Sequence, residues 1–421
     1  MNAARTAGPP APAPGRGALK RTLDDLALFG GRAAFLRPLS VGTPNPVDRV
    51  RLYERLDWAL DNQWLSNGGP LCAEFEARVA DLAGTRHAVA TCNATSALHL
   101  LVRAAGLTGE VIMPSLTFAA TAHAVQWLGL TPVFCDVDPR TGLIDPDLAR
   151  AAVTPRTSAV IGVHLWGRPC DTTALEKLAA DHGLHLFLDA AHALGCTHGG
   201  VPVGAAGAAE VFSFHATKVV GAFEGGAIVT DDDALAARVR ALANFGKGLD
   251  EVSQAGGTNA KMSEAAAAMG LTSLDALPAY VEANQACQRG YRDGLARIPG
   301  LTLRLPDDTE RHNHQYTVLE VDEHVTGLGR DLLMELLRAE NALVLPPIGS
   351  PPCHLLEPYR SRQAYALPHT EALAARTISL PTGPGVGPES VRRLCETIRF
   401  AVAHGAELTA RHRRTDRKGP A

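Results

Sequence analysis

Between residues 87 and 230, short apolar runs rich in β-branched residues alternate with Ala- and Leu-rich stretches of helical period. No other feature of the chain restricts its fold as much. The strand candidates are 87–92, 111–114, 132–137, 158–164, 185–189, 210–214 and 227–230, with helical patterns such as 95–105, 119–128, 145–152 and 172–181 between them. Strands that read as continuous apolar runs are covered on both faces, and strands separated by helices pair in parallel. The sequence thus predicts an α/β fold: a large domain built on a mainly parallel seven-stranded sheet.

Beyond the Ala-rich segment 262–271 the rhythm changes. A long helical pattern covers 274–298, strands are expected near 301–305 and 315–321, and helices near 328–340, 370–376 and 388–404. Fewer strands and longer helices indicate a smaller α+β C-terminal domain. The predicted division is a disordered leader over 1–24, a large domain over 25–270, a small domain over 271–404 and a disordered basic tail over 405–421. With 421 residues the chain has room for both cores.

A net charge of −4, from 40 basic and 44 acidic residues, gives no field suited to nucleic acid or an anionic membrane. No apolar stretch is long enough to span a bilayer. The eight cysteines are scattered, without a Cys-x-x-Cys pair or a neighbouring His cluster, so neither a disulfide framework nor a metal site is expected. They read as buried reduced thiols, which places the chain in the cytoplasm. A small-molecule partner is expected.

In open α/β sheets, ligands sit beyond the carboxyl ends of strands, so polar residues just after apolar runs carry the chemistry. Four such places stand out. At Thr91-Cys92-Asn93-Ala94-Thr95-Ser96 a strand enters a helix whose free N–H groups and dipole suit a phosphate, although Asn, Thr and Ser are equally ordinary capping residues. At Leu188-Asp189-Ala190-Ala191-His192 a carboxylate ends a strand. It is placed to pair with a protonated pyridine nitrogen or simply to cap a helix, and His192 to reach a ring oxygen or to sit in a core. At Ser213-Phe214-His215-Ala216-Thr217-Lys218, followed by Glu224-Gly225-Gly226, the lysine is placed for a Schiff base, or is a surface residue. Gly257-Thr258-Asn259-Ala260-Lys261-Met262-Ser263 feeds a helix that Thr258 or Ser263 would cap.

The order of these features, phosphate-type turn, carboxylate, then lysine, resembles a fold type I pyridoxal 5'-phosphate (PLP) enzyme, the aspartate aminotransferase-like class. Together with Glu74-Phe75-Glu76 and Pro114-Ser115-Leu116-Thr117-Phe118-Ala119-Ala120-Thr121, they resemble the DegT/DnrJ/EryC1/StrS family of sugar-nucleotide aminotransferases over about residues 28–404. The resemblance implies that Lys218 holds PLP as a Schiff base and Asp189 holds the pyridine nitrogen. It also implies that His192, where many relatives have Gln, contacts the ring oxygen and that Phe118 stacks on the ring. Thr95, Ser96 and Ser213 match phosphate ligands, and Asn259 or Lys261 would reach the cofactor of a second subunit in a homodimer. A pyridoxamine phosphate form would carry the amino group.

Within the family, Trp64-Leu65-Ser66-Asn67-Gly68-Gly69-Pro70, His164-Leu165-Trp166-Gly167-Arg168-Pro169-Cys170 and the 257–264 run are similar to the branch that acts in the desosamine pathway. That similarity implies dTDP-4-keto-6-deoxyglucose as substrate, L-glutamate as amine donor and dTDP-4-amino-4,6-dideoxyglucose as product. Other outcomes are a 3-keto sugar substrate, a PLP-type sugar dehydratase, in whose relatives a histidine replaces the lysine, or a cofactor-binding protein without turnover. Two departures from the family pattern are Ala94 in place of Gly and the stretch 343–350, which lacks the usual Arg and aromatic residues.

Overall fold

The computed structural model describes residues 20–247, 256–348, 351–361 and 364–416. All seven expected strands form: β1 (His87–Thr91), β2 (Glu110–Pro114), β3 (Thr131–Cys135), β4 (Thr157–Val163), β5 (His185–Asp189), β6 (Ala209–Ser213) and β7 (Gly226–Thr230). They make one sheet in the order β1-β7-β6-β5-β4-β2-β3. Only β7 is antiparallel to its neighbours β1 and β6. The physical cause is the connection: parallel neighbours need a crossover, whereas the loop 214–225 joining β6 to β7 contains no helix, so the chain turns back on itself.

Successive side chains of a strand point to opposite faces, and here both faces are covered. Val111, Met113, Ile161, Phe187 and Val211 pack on one side with helix α3 (Ala94–Ala104). Phe212, Ala227 and Val229 pack on the other with Leu52 of α1 (Arg49–Asp61) and with Phe75 and Val79 of α2 (Pro70–Ala83). This two-sided burial is why the strands read as continuous apolar runs. The start of α2 is tied down by Glu264, a fully buried carboxylate whose oxygens accept from the N–H groups of Leu71 (2.8 Å) and Cys72 (3.3 Å).

In the C-terminal part, β8 (Leu301–Arg304), β9 (Thr317–Val321) and β10 (Thr377–Leu380) form an antiparallel sheet in that order. It shares one apolar cluster with α6 (Leu277–Leu295), α7 (Arg330–Ala339) and α8 (Pro388–Ala403). Strand β10 had not been read from the sequence. Most of the helix expected over 274–298 forms as α6; its first two residues instead end α5 (Glu264–Asp275), and the break falls at Ala276, with Pro278 in the first turn of α6.

Both expected disordered ends carry structure where they are described. Lys20 buries its ammonium against Glu340 at 2.7 Å, and Glu340 also accepts from Ala27 N and Ala34 N at 2.8 and 2.7 Å. Leu23, Leu26, Phe35 and Leu39 join the C-terminal cluster, so the N-terminal stretch of the predicted large domain packs with the small one. The tail forms a helix, α9 (Gly405–Asp416), because Leu408 is fully buried and Arg411 meets Asp24 at 2.6 Å while lying over the ring of Phe29. Residues 1–19 and 417–421 of the predicted leader and tail lie outside the described residues. The chain also crosses back the other way: Cys353, Tyr359 and Leu367 are buried in the core of the seven-stranded sheet.

Candidate active site

A cavity of about 390 Å³ opens at the carboxyl ends of β5 and β6, between the large sheet and the C-terminal part. Thr95, Phe118, Asp189, His192, Ser213 and Lys218 all line it.

Lys218 stands in the loop between β6 and β7, which is closed by bonds from Ala216 N to Phe223 O (2.9 Å) and Lys218 N to His215 O (2.9 Å). Its Nζ donates to the phenol oxygen of Tyr316 at 3.3 Å. Asp189 ends β5 and is buried, with Oδ2 accepting from the hydroxyl of Thr121 (2.7 Å) and Oδ1 from Ala191 N (3.1 Å). Thr121 is in turn bonded to Thr117 at 2.9 Å. The carboxylate is therefore held by donors on two elements.

His192 is held in one tautomer. Trp166 N–H donates to its Nδ1 at 3.2 Å, which leaves the neutral ring's proton on Nε2. Burial, together with the nearby charge of Lys218, pushes its pKa well below the usual imidazole range, so the ring is neutral at pH 7. Trp166 reaches this position with a left-handed backbone (φ 57°, ψ 23°). Phe118, at the N-terminal cap of α4 (Ala119–Trp127), is 57% exposed on the cavity wall, a ring available for stacking.

A Cβ on Gly226 would lie 2.5 Å from the carbonyl carbon of Asn93 and 2.6 Å from Ala94 N. Only glycine lets β7 approach so closely, and this contact brings the N-terminus of α3 beside Ser213, which is paired with Gly226. The N–H groups of Ala94 and Thr95, at the start of that helix, have no partner inside it, and with the Ser213 hydroxyl they are placed where an anion could sit. Amine, carboxylate, aromatic face and anion cradle are the donor set PLP needs.

Not every expected residue lines the cavity. Ser96 spends its N–H on the capping Asn93 side chain (2.8 Å), and its hydroxyl contacts the Cys92 thiol at 3.4 Å. Asn259 and Lys261 lie outside this chain's cavity: Lys261 Nζ donates to Asn259 Oδ1 (2.7 Å) and Asn244 Oδ1 (3.0 Å). Ser263, not Thr258, caps α5, accepting from Ala266 N. Tyr316, Gln315 and Asn45 also line the cavity, from segments distant in the chain, and no motif in the sequence marks them. Thr121 ends the motif 114–121, and nothing local in that motif marks its bond to Asp189. All eight cysteines are free, seven of them buried, and no group of three or more metal-type side chains converges among the described residues. No helix among them is long and apolar enough to cross a membrane.

The doubly covered sheet and this donor set define a fold type I PLP-dependent enzyme. The sequence profile of the DegT/DnrJ/EryC1/StrS aminotransferase family matches residues 47–399, and the chain belongs to that family. It is a PLP-dependent aminotransferase. The spore coat polysaccharide biosynthesis protein SpsC of Bacillus subtilis (strain 168) is 35% identical over 360 residues, 82% of this chain and 92% of SpsC. The crystal structure of DesI in the presence of its TDP-sugar product is similar with a TM-score of 0.90 and 63% identity, over 93% of this chain and 100% of DesI. S. venezuelae DesV in complex with a ketimine intermediate is similar at 32% identity and TM-score 0.78, covering 86% of this chain and 99% of DesV.

Proposed function

We propose that this enzyme transfers an amino group to the keto carbon of dTDP-4-keto-6-deoxyglucose, giving dTDP-4-amino-4,6-dideoxyglucose, with L-glutamate as donor. The observation that carries the substrate reading is the 63% identity to DesI, whose structure was solved with its TDP-sugar product. The segments 64–70, 164–170 and 257–264 support the same branch.

PLP, when bound, supplies an electron sink and a carrier for the amino group. Lys218 would hold it through Nζ and, once the donor's amino group takes its place, the freed amine would take a proton from the amino-bearing carbon and return one. Asp189 keeps the pyridine nitrogen protonated, and the Thr121 and Ala191 donors keep Asp189 in place. His192 would donate through Nε2 to the ring oxygen, with imidazole in the place that an amide takes in many relatives. Thr95, the α3 N-terminus and Ser213 receive the phosphate, with Ser96 supporting the turn. Asn259 and Lys261 reach a second subunit's site in a homodimer, and the enzyme works in the cytoplasm.

The test incubates the protein with L-glutamate and a panel of dTDP-linked 3-keto and 4-keto sugars, followed by mass spectrometry and NMR of the products. Amination at C4 of the 6-deoxy sugar is expected. Amination at C3, or loss of a ring hydroxyl, would overturn the substrate reading. Lys218→Ala that still transaminated at the wild-type rate would overturn the role of the lysine.

A further inference from the structure

We propose that Tyr316 is a positioning residue for Lys218: its phenol oxygen receives an N–H of the lysine amine and holds that amine beside the reacting carbon while it moves a proton. The inference rests on the reading of Lys218 as the reacting amine.

A lysine head on its four-carbon stem samples many positions once it is free, and proton transfer demands one of them. In this structure the head has a partner, Tyr316 Oη at 3.3 Å. Tyr316 is itself immobilised. It directly precedes β9, and its ring lies against that of His192, with centroids 4.3 Å apart and planes inclined at 38°. The residue before it, Gln315, donates through Nε2 to the carbonyl of Thr217 at 2.6 Å, one residue ahead of the lysine, and its own carbonyl accepts from the Thr382 hydroxyl. Asn313 donates to the carbonyls of His192 (2.9 Å) and Leu194 (3.1 Å). One strand end from the C-terminal part thus grips the backbone of the His192 segment, the backbone of the Lys218 loop and the head of the lysine.

The hydroxyl is the informative atom. Phenylalanine would fill the same outline against His192 and keep the ring contact, so packing alone does not call for an oxygen on the cavity wall. That oxygen meets Nζ. With one N–H engaged there, the amine is held at one place on the cavity wall.

The test is Tyr316→Phe in the full-length enzyme loaded with PLP, with steady-state rates across pH and a pH titration of the bound cofactor's visible absorbance. Expected are a fall in kcat of about 10- to 100-fold, KM for the keto sugar within about threefold of wild type, and a displaced pH profile in both measurements. Wild-type kcat with unchanged pH profiles would overturn the proposal. So would a raised KM at unchanged kcat, which would make Tyr316 a substrate contact. Failure of the underlying reading is told apart by Lys218→Ala: if that variant keeps wild-type turnover, the lysine role falls whatever Tyr316→Phe does.

Discussion

Asp189 and Thr121 show how much a single side chain does here. The carboxylate is buried beside the lysine cavity and accepts two hydrogen bonds, one from the Thr121 hydroxyl at 2.7 Å. Asp189→Asn keeps the shape and removes the charge that, in the proposed function, would hold a pyridine nitrogen protonated. Transamination should fall by about 10²- to 10⁴-fold while PLP still binds, as read from single turnovers with L-glutamate and from cofactor absorbance. A loss smaller than threefold would end the role given to this carboxylate. His312 provides a residue-scale prediction about stability. Burial first, and then the neighbouring charge of His314, push its imidazole down to about 3. The unfolded chain takes up this proton below about pH 6.5, whereas the folded chain resists it until about pH 3. The contribution is therefore complete above pH 6.5 and lost as pH falls toward 3, by roughly 3–5 kcal/mol in all. Urea unfolding of His312→Gln should show a flatter decline between pH 6.5 and 4 than wild type, and parallel curves would refute the assignment.

At the scale of elements, the site depends on how closely β7 passes the turn before α3. A methyl group at Gly226 would overlap the Asn93–Ala94 backbone at about 2.5 Å. Relief requires the helix N-terminus to move away from Ser213. Gly226→Ala is expected to weaken PLP binding at least about tenfold, because an anion cradle built from aligned N–H groups tolerates little displacement. Equilibrium dialysis of the apo-enzyme with PLP measures this directly, and unchanged affinity would show that the close approach does not shape the phosphate site. Much at this scale was legible in the sequence: the seven strands appear within one or two residues of the apolar runs, since a strand buried on both faces leaves an unbroken apolar signature. The reversed direction of β7 was not, because no residue in 226–230 records it; the helix-free connection 214–225 decides it.

For the whole molecule, the N- and C-terminal segments complete the C-terminal core. Leu408 of α9 is fully buried, Thr409 donates to the carbonyl of Gly327 at 2.8 Å, and Arg411 meets Asp24. Removing residues 405–421 should lower unfolding stability by roughly 2–4 kcal/mol, chiefly from the loss of Leu408 burial, with a smaller change in initial cofactor affinity. Chemical denaturation followed by fluorescence checks it, and an unmoved midpoint would show that the helix is ornamental to the core. The charged run Arg411, Arg413, Arg414 had suggested a solvated tail. One buried leucine per two turns is too weak a periodic signal to outweigh it, and the partner surface that gives it meaning lies hundreds of residues away.

The sequence by itself determined the α/β class, the seven strands and the order of turn, carboxylate and lysine, because strand burial and strand-end chemistry are local properties written in consecutive residues. Only the tertiary structure decided that Thr121 holds Asp189, that Trp166 fixes the tautomer of His192 and that Tyr316 meets Lys218. Each of those contacts joins residues from 26 to 98 positions apart. A hydrogen bond across such a distance exists only once packing has fixed both partners, and no periodicity or spacing in the chain encodes it.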